Sequence, residues 1–138
     1  MQEIYSTVII KHTFTSEERL KSKKLIDQLF TQGKAFNLYP IRVMYYTDQD
    51  LAINHHQVLF AVPKKKCKSA VVRNKLKRRM REAYRLNKHL LQVSGHPKPR
   101  FLMGYIYTGD PFLGSFQTIQ KKIIQALELL RALPDYST

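Results

Sequence analysis

One stretch of this chain, residues 64–85, reads KKKCKSAVVRNKLKRRMREAYR. It contains 11 of the chain's 24 lysines and arginines and a single acid, Glu82. Like charges at this density repel one another, and ordinary surface ion pairs offset little of that repulsion. The stretch is therefore expected to bind a polyanion, and its charge predicts a nucleic-acid interface.

The composition of the whole chain agrees with one nucleic-acid-binding domain. The 138 residues carry a formal net charge of +14, and 43% of them are hydrophobic, which is enough to bury one core. We expect a single domain over residues 1–138, with an N-terminal arm over about 1–13 and a frayed tail over about 134–138.

Two features of the sequence indicate where the protein resides. The single cysteine, Cys67, cannot form an internal disulfide and suits a reducing environment, and we expect it to act as a small apolar filler. The apolar run Val8–Ile10 is too short for a signal sequence or a membrane span. We therefore expect a cytoplasmic protein that binds no membrane.

Apolar periodicity predicts a succession of helices and strands along the chain. In chain order they are a helix over Leu20–Gly33, a short strand near Ala35–Leu38, strands over Ile41–Thr47 and Val58–Val62, the basic helix over about Ser69–Leu90, a strand over Phe101–Thr108 and a helix from about Ser115. The order α-β-β-β-α-β-α predicts an α+β sandwich, in which three helices pack on a small mixed sheet of about four strands.

The ends of the first helix carry recognisable signals. Ser22 can cap its N-terminus, and an alternative start at Thr15, with Glu18 three residues on, would form a capping box. Gly33 stands where the glycine that follows a helix belongs.

A helical projection of the basic stretch at 100° per residue separates two faces. One face is an apolar stripe of Val72, Leu76, Met80, Ala83, Leu86 and Leu90. The other side gathers Arg73, Lys77, Arg81, Tyr84 and Lys88, with Asn74, Arg78 and Arg85 beside them. Arg79 falls inside the apolar arc, and the pattern offers no reason for it. Because Arg73, Lys77 and Arg81 form a like-charged row without interleaved glutamates, this side predicts polyanion binding rather than a merely solvated face.

RNA is favoured over DNA as the polyanion. A DNA-reading helix usually belongs to a helix-turn-helix, whereas predicted strands flank this one. Its cations suit phosphates, and Tyr45 or Tyr46 on a neighbouring strand could stack on unpaired bases. Those tyrosines could equally be ordinary core residues.

The pattern Val72-Arg73-Asn74-x-x-Lys77-Arg78-x-x-Arg81-Glu82-Ala83-Tyr84, preceded by Val62-Pro63-Lys64-Lys65, resembles the signature of the bacterial ribonuclease P protein component. Arg19-Leu20, Leu29-Phe30, Gly33 and the strand from Val43 to Tyr46 fall at the intervals of that family. The chain departs from the family at Pro63, Cys67 and Gln57, where serine, glycine and arginine are common. These departures leave the central motif intact.

The resemblance implies the protein subunit of a ribonucleoprotein that removes the 5′ leader from precursor tRNA. In this family the RNA subunit catalyses the hydrolysis with Mg²⁺, so we expect no catalytic residue, protein-bound metal or other cofactor in this chain. Its partners would be the ribonuclease P RNA subunit and precursor tRNA, without DNA or membrane. We favour a monomer for the free protein, and we expect its cations to reduce the Mg²⁺ that the two RNAs need to associate.

The resemblance, with the charge pattern, also assigns residues. The expected RNA-binding residues are Lys64, Lys65, Arg73, Asn74, Lys77, Arg78, Arg81 and Arg85. The expected leader cleft lies between the basic helix and the sheet and is lined by Ile26, Phe30, Val43, Tyr45, Lys77 and Arg81. Ile26 stands where the family usually has phenylalanine, which keeps an apolar wall but weakens base stacking.

Other functions compete with this interpretation. An autonomous metal-dependent nuclease would need clustered carboxylates, but the 10 acids are scattered and Glu17-Glu18 is the sole adjacent pair. A metal-free nuclease would need paired histidines, whereas neighbours such as His55 and His56 point apart in an extended loop. A structural, ribosomal-type RNA-binding protein and a DNA-binding regulator remain as alternatives.

Overall fold

A four-stranded mixed sheet organises residues 12–91 and 100–133, the part of the chain that the computed structural model describes. Helices and strands follow in the order 3-10 helix Ser16–Glu18, α1 Lys23–Gln32, β1 Lys34–Leu38, β2 Ile41–Tyr46, β3 Gln57–Ala61, α2 Ala70–Asn87, 3-10 helix Lys88–Leu91, β4 Leu102–Tyr107 and α3 Phe116–Arg131. The predicted α+β class, with three helices on four strands, is confirmed. Most of the predicted arm, a loop that the sequence predicts over residues 95–99, and the predicted tail lie outside the described residues.

The strand order β1-β2-β4-β3 places β2 and β4 in the centre of the sheet. β1 pairs antiparallel with β2, and β2 pairs antiparallel with β4. β3 pairs parallel with β4, so the chain must cross over between them, and the basic helix α2 is that crossover.

Helices cover both faces of this sheet. The larger core cluster joins Ile41 and Val43 of β2 to the apolar sides of α2 and α3. The smaller cluster joins Met44 of β2 to Leu29 of α1 on the other face. Both alternating sets of side chains in β2 therefore contain buried apolar residues, because each set faces a helical layer, while Arg42 near the start of the strand is exposed.

Serine side chains start all three α-helices. Ser22, Ser69 and Ser115 accept the backbone N–H of the residue three positions on, which satisfies one of the free donors at each helix start. The capping box of Thr15 and Glu18 is also present, but it starts only the 3-10 turn Ser16–Glu18 and not α1. The first helix accordingly begins at Lys23, later than the predicted Leu20.

Gly33 ends α1 for a different reason from the one that its position suggests. A glycine after a helix commonly adopts a positive φ, but Gly33 has φ −74° and ψ 164°, which any residue can adopt. Space is the constraint, because a Cβ at this position would lie 2.3 Å from the carbonyl oxygen of Leu29 and 2.9 Å from that of Tyr45. The chain turns directly from α1 into β1 against the backbone of β2, and only glycine fits there.

We predict that Gly33→Ala destabilises the protein by about 1–3 kcal/mol, because the added methyl group meets two backbone oxygens that cannot rotate away. Urea unfolding measures this free energy. The matched control is Gly104→Ala in β4, where a Cβ would meet only side-chain atoms of Leu29 and Leu59, the nearest at 3.4 Å. Equal losses of stability in the two variants would contradict the steric explanation.

Candidate RNA interface

The rotation of α2 about its axis is set by an aromatic side chain. Leu76, Met80, Ala83 and Tyr84 are its buried residues, and Tyr84 is only 1% exposed. The ring of Tyr84 lies 6.0 Å from the rings of Phe14, Phe60 and Tyr105, and burial raises the pKa of its hydroxyl. The prediction that Tyr84 lies on the charged side is therefore wrong.

The unpaired cations of α2 lie outside this buried arc. Asn74 and Arg78 are exposed, while Lys77 and Arg81 are half-buried and precede Tyr84 by about two turns and one turn. Within residues 12–91 and 100–133, no acid lies within ion-pair distance of Lys77, Arg78 or Arg81. These three side chains therefore present positive charge that the described part of the fold does not neutralise.

Other arginines of α2 are engaged with backbone carbonyls. The Arg73 guanidinium donates to the carbonyl oxygens of Cys67 and Lys68, at 2.9 and 3.0 Å. Arg79 donates to the carbonyl oxygen of Gly114, in the loop between β4 and α3. This contact explains why an arginine occupies the apolar arc of the helix, which the sequence pattern left without a reason.

Arg85, a predicted RNA-binding residue, is held by its own helix. Its Nη2 and Nε donate to the two carboxylate oxygens of Glu82, at 2.5 and 2.9 Å. The hydrogen bond from Arg85 lowers the pKa of Glu82. A further N–H of Arg85 donates to the carbonyl oxygen of His12, at 2.5 Å. Arg85 thus ties the segment before α1 to α2, and contact with RNA stays a prediction for it.

The loop before α2 presents a row of lysines. Lys64 and Lys65 are exposed, and neither makes an ion pair with any described acid. The N–H groups of Lys66 and Cys67 donate to the carbonyl oxygen of Pro63 and close a tight turn, while Cys67 itself is buried in the core. The prediction that Cys67 is an apolar filler is confirmed. Its burial turns the neighbouring lysines outward.

A groove of about 230 Å³ runs along the outer edge of β3, beside α2. Its lining consists of Phe14, Arg19, Leu20, Lys21, Val58, Leu59, Phe60 and Arg81. Arg19 places its guanidinium 5.7 Å from the centre of the Phe14 ring. The groove therefore combines three cations with apolar and aromatic walls, which suits a phosphate backbone with stacked bases.

The segment before α1 closes the edge of the sheet next to this groove. The Leu20 N–H donates to the carbonyl oxygen of Val58 at 3.0 Å, and Arg19 forms a parallel bridge with Val58. Sequence reasoning missed Arg19 and Lys21 as site residues, because an extended segment has no helical face by which to group them with α2. The available signal was Arg19-Leu20, which falls at a family interval.

The structure does not assemble the predicted leader cleft as one surface. Val43 has no exposed surface, and Tyr45 packs between Phe36 and Phe101 on the same face of the sheet. Ile26 packs in the core cluster of the opposite face. The expectation of one shared cleft is corrected, since β2 is a central strand covered on both sides. The sheet-side wall of the groove beside Arg81 comes from β3 instead.

Phe30, the remaining residue of the predicted cleft, lies on α1 with its ring 45% exposed. Phe30 can therefore contact a ligand, but that ligand would have to lie on the α1 side of the sheet. Contact of Phe30 with the leader stays a prediction.

A buried ion pair fixes the segment that borders the groove. The Glu18 carboxylate accepts from the Thr15 N–H at 2.8 Å and from the Lys88 ammonium at 2.5 Å. Burial would raise the pKa of Glu18, but the hydrogen bonds from Lys88 and Thr15 outweigh it, and the pKa is lowered. Lys88 also donates to the carbonyl oxygen of Thr13. The end of α2 is in this way joined to the start of the described chain.

The two adjacent histidines have separate surroundings. His55 is exposed and lies 2.8 Å from Glu17. His56 stacks on Phe101, and its Nδ1 accepts the Phe101 N–H at 2.9 Å. Burial lowers the pKa of His56 to about 4, so the ring is neutral at physiological pH. The prediction that these neighbours point apart is confirmed, and they form no acid–base pair.

No three His, Cys, Asp or Glu side chains of residues 12–91 and 100–133 come together in a way that could hold a metal ion. No helix in those ranges has the length and apolar character needed to cross a membrane.

The fold, with the cations of α2 that no described acid neutralises, defines a small basic α+β protein of the nucleic-acid-binding class. A sequence profile of the family described as Ribonuclease P matches residues 14–101. The ribonuclease P protein component of Porphyromonas gingivalis is 46% identical over 114 residues, or 82% of each chain. That of Chlorobium phaeobacteroides is 41% identical over 124 residues, 87% of this chain and 82% of the relative. The chain belongs to the ribonuclease P family.

Solved structures show the same fold at lower sequence identity. The ribonuclease P protein of Thermotoga maritima matches with a TM-score of 0.64 at 23% identity, over 81% of this chain and 96% of that chain. The protein of Staphylococcus aureus matches with a TM-score of 0.63 at 21% identity, over 81% of this chain and 94% of that chain. The α+β arrangement is therefore common to these proteins.

We predict that Glu18→Gln lowers stability at neutral pH and has less effect in acid. The folded-state pKa of Glu18 lies below its unfolded value of about 4.3, so its stabilisation is present above that pH and is lost as the pH falls through the folded pKa. Urea unfolding of both proteins at pH 7 and from pH 5 to pH 3 measures the difference. Glu128→Gln on α3, an exposed position, is the control, and a pH-independent difference for Glu18→Gln would contradict the pairing.

Proposed function

We propose that this chain is the protein subunit of ribonuclease P, which promotes removal of the 5′ leader from precursor tRNA by a catalytic RNA subunit. The observation that carries the proposal is the row of unneutralised cations Lys77, Arg78 and Arg81 on a helix whose rotation is fixed by the core. Membership of the ribonuclease P family supports it. In this role the chain is an accessory subunit of an endoribonuclease.

The two RNAs would bind to two different surfaces of the protein. Asn74 and Arg78, with Lys64 and Lys65 of the preceding loop, point away from the sheet and would contact the RNA subunit. Asn74 can both donate and accept hydrogen bonds, so it suits a ribose hydroxyl or a base edge as well as a phosphate. The groove at the edge of β3 would hold the leader of precursor tRNA.

The groove suits a strand of variable sequence. Arg19, Lys21 and Arg81 would pair with successive phosphates, while Phe14 and Phe60 supply an apolar wall. Phosphate pairing and stacking are tolerant of base identity, and leaders of different precursor tRNAs differ in sequence. Lys77, one turn before Arg81, would extend the cationic track along the helix.

Magnesium enters this function through the RNA subunit. The Mg²⁺-dependent hydrolysis would be carried out by that RNA. The cations of the two RNA-binding surfaces would reduce the repulsion between the RNA subunit and precursor tRNA where the two RNAs meet, and they would thereby lower the Mg²⁺ concentration needed for cleavage.

We predict that the Lys77→Glu/Arg81→Glu protein fails to stimulate cleavage at low Mg²⁺, because the reversed charges repel the leader phosphates. Cleavage of a 5′-labelled precursor tRNA by a bacterial ribonuclease P RNA, with and without protein, measures the effect. The matched control is Lys121→Glu/Arg131→Glu, which makes the same change in net charge at exposed positions on α3. We expect this control to stimulate as the unmodified protein does.

Further arms of this experiment separate the alternatives. Cleavage by protein alone would make the chain a nuclease in its own right. Tight RNA binding without any stimulation would indicate a structural RNA-binding protein. An unchanged Mg²⁺ requirement on addition of protein would contradict the electrostatic part of the proposal.

The salt dependence of binding gives a second, independent prediction. Removal of one phosphate contact lowers the slope of log affinity against log salt by about 0.7–0.9. We therefore expect Arg78→Ala to lower the slope for binding to the RNA subunit by about 0.7–0.9, the value for one lost phosphate contact. We expect Lys121→Ala to leave the slope unchanged. An unchanged slope for Arg78→Ala would remove Arg78 from the interface.

A further inference from the structure

Apolar side chains are exposed together at one end of the sheet. Tyr39 in the turn between β1 and β2 is 69% exposed, and Phe112 and Leu113 in the loop between β4 and α3 are 84% and 73% exposed. The two segments touch, because a Cβ built on Gly109 would lie 2.5 Å from the Cβ of Pro40 and 3.3 Å from the hydroxyl of Tyr39. We call Tyr39, Phe112 and Leu113 the end-of-sheet surface.

The loop that carries Phe112 and Leu113 is held in place by hydrogen bonds. The Asp110 carboxylate accepts the Phe112 N–H at 2.8 Å, and the Asp110 carbonyl oxygen accepts the Leu113 N–H at 3.1 Å and the Tyr107 hydroxyl at 2.7 Å. Arg79 of α2 binds the loop again at Gly114. The two side chains are therefore presented outward by a fixed backbone. Single exposed apolar residues are common, but a group on adjoining turns marks an interaction site.

Lysines border this surface. The Lys66 ammonium donates to the carbonyl oxygen of Thr108 at 3.1 Å, which brings the loop before α2 against the loop after β4. Lys64, Lys65 and Lys68 of that loop are exposed, and no described acid pairs with them. Asp110 is an acid in the same loop as Phe112 and Leu113. Its carboxylate accepts the Phe112 N–H.

Exposed aromatic rings next to lysines favour RNA over protein as the ligand of this surface. Interfaces between proteins are depleted in lysine, because burial of an unpaired ammonium is unfavourable. Unpaired RNA offers both complements at once, since its bases stack on aromatic rings and its phosphates pair with lysines.

We propose that the end-of-sheet surface binds unpaired bases of the RNA subunit, with Phe112 and Tyr39 as stacking rings. This inference rests on the proposed function, which supplies the RNA subunit as a partner. The RNA subunit is chosen over precursor tRNA because the surface adjoins Lys66 and the start of α2. The groove, by contrast, meets α2 at Arg81, about 12 Å further along the helix axis from Arg73.

Fluorescence can test this contact directly, because the chain contains no tryptophan. A Phe112→Trp protein carries a single reporter, and stacking on a base quenches indole fluorescence. We expect quenching when the RNA subunit is added. We also expect Phe112→Ala to weaken affinity for the RNA subunit about tenfold, as loss of one stacked base does. The matched controls are Leu129→Trp and Leu129→Ala on α3, where Leu129 is 49% exposed, and we expect no change in either.

Other outcomes would overturn the proposal. Quenching by precursor tRNA but not by the RNA subunit would show that the surface binds precursor tRNA, and not the RNA subunit as proposed. If Phe112→Ala abolishes a concentration-dependent dimer in sedimentation and leaves RNA affinity unchanged, the surface is a protein interface. A further outcome is that the two variants behave as expected, with quenching in Phe112→Trp and weakened affinity in Phe112→Ala, while the unmodified protein fails to stimulate cleavage. That result would support RNA binding at the end-of-sheet surface and refute only the proposed function.

Discussion

The burial of Tyr84 is the constraint on which the arrangement of charge depends. Its ring is enclosed by Phe14 from the segment before α1, Phe60 from the edge strand β3 and Tyr105 from the central strand β4. A helix with Tyr84 held in this position can take only one rotation against the sheet. That rotation places Arg81 at the border of the groove, with Lys77 one turn before it, and turns Arg78 to solvent. The core thus decides which cations are free to bind a ligand.

The same helix divides its positive charge between two uses. Arg73, Arg79 and Arg85 donate to carbonyl oxygens of the loop before α2, the loop before α3 and the segment before α1. Carbonyl oxygens carry only partial charge, so Arg73 and Arg79 fix two segments around the helix without being neutralised, whereas Arg85 is also paired with the Glu82 carboxylate. Because few acids oppose them, the cations keep a strong field at the surface, where long-range attraction of a polyanion is effective.

The fold could be predicted from the sequence to the extent that it depends on local pattern. The strands, the serine caps and the α+β class follow from alternation, helical spacing and side-chain chemistry near each residue. Tyr84 was misplaced because its neighbours in the projection are Lys77 and Arg81, whereas its environment comes from three aromatic rings distant in the chain. The cleft was misplaced for a related reason. Strand order decides that β2 is central and β3 is the edge, and no local pattern in Val43 or Tyr45 reports strand order.

The segment that forms the wall of the groove also has a consequence for the free protein. Leu20 and Arg19 pair with Val58 and so occupy hydrogen-bonding groups on the outer edge of β3. An open edge strand is a template for a strand of another molecule, and such pairing leads to aggregation. At the opposite edge, Lys34 of β1 is exposed, and a charged side chain there discourages the same pairing. A chain synthesised before its partner is available is thereby protected against edge-to-edge association at both margins of its sheet.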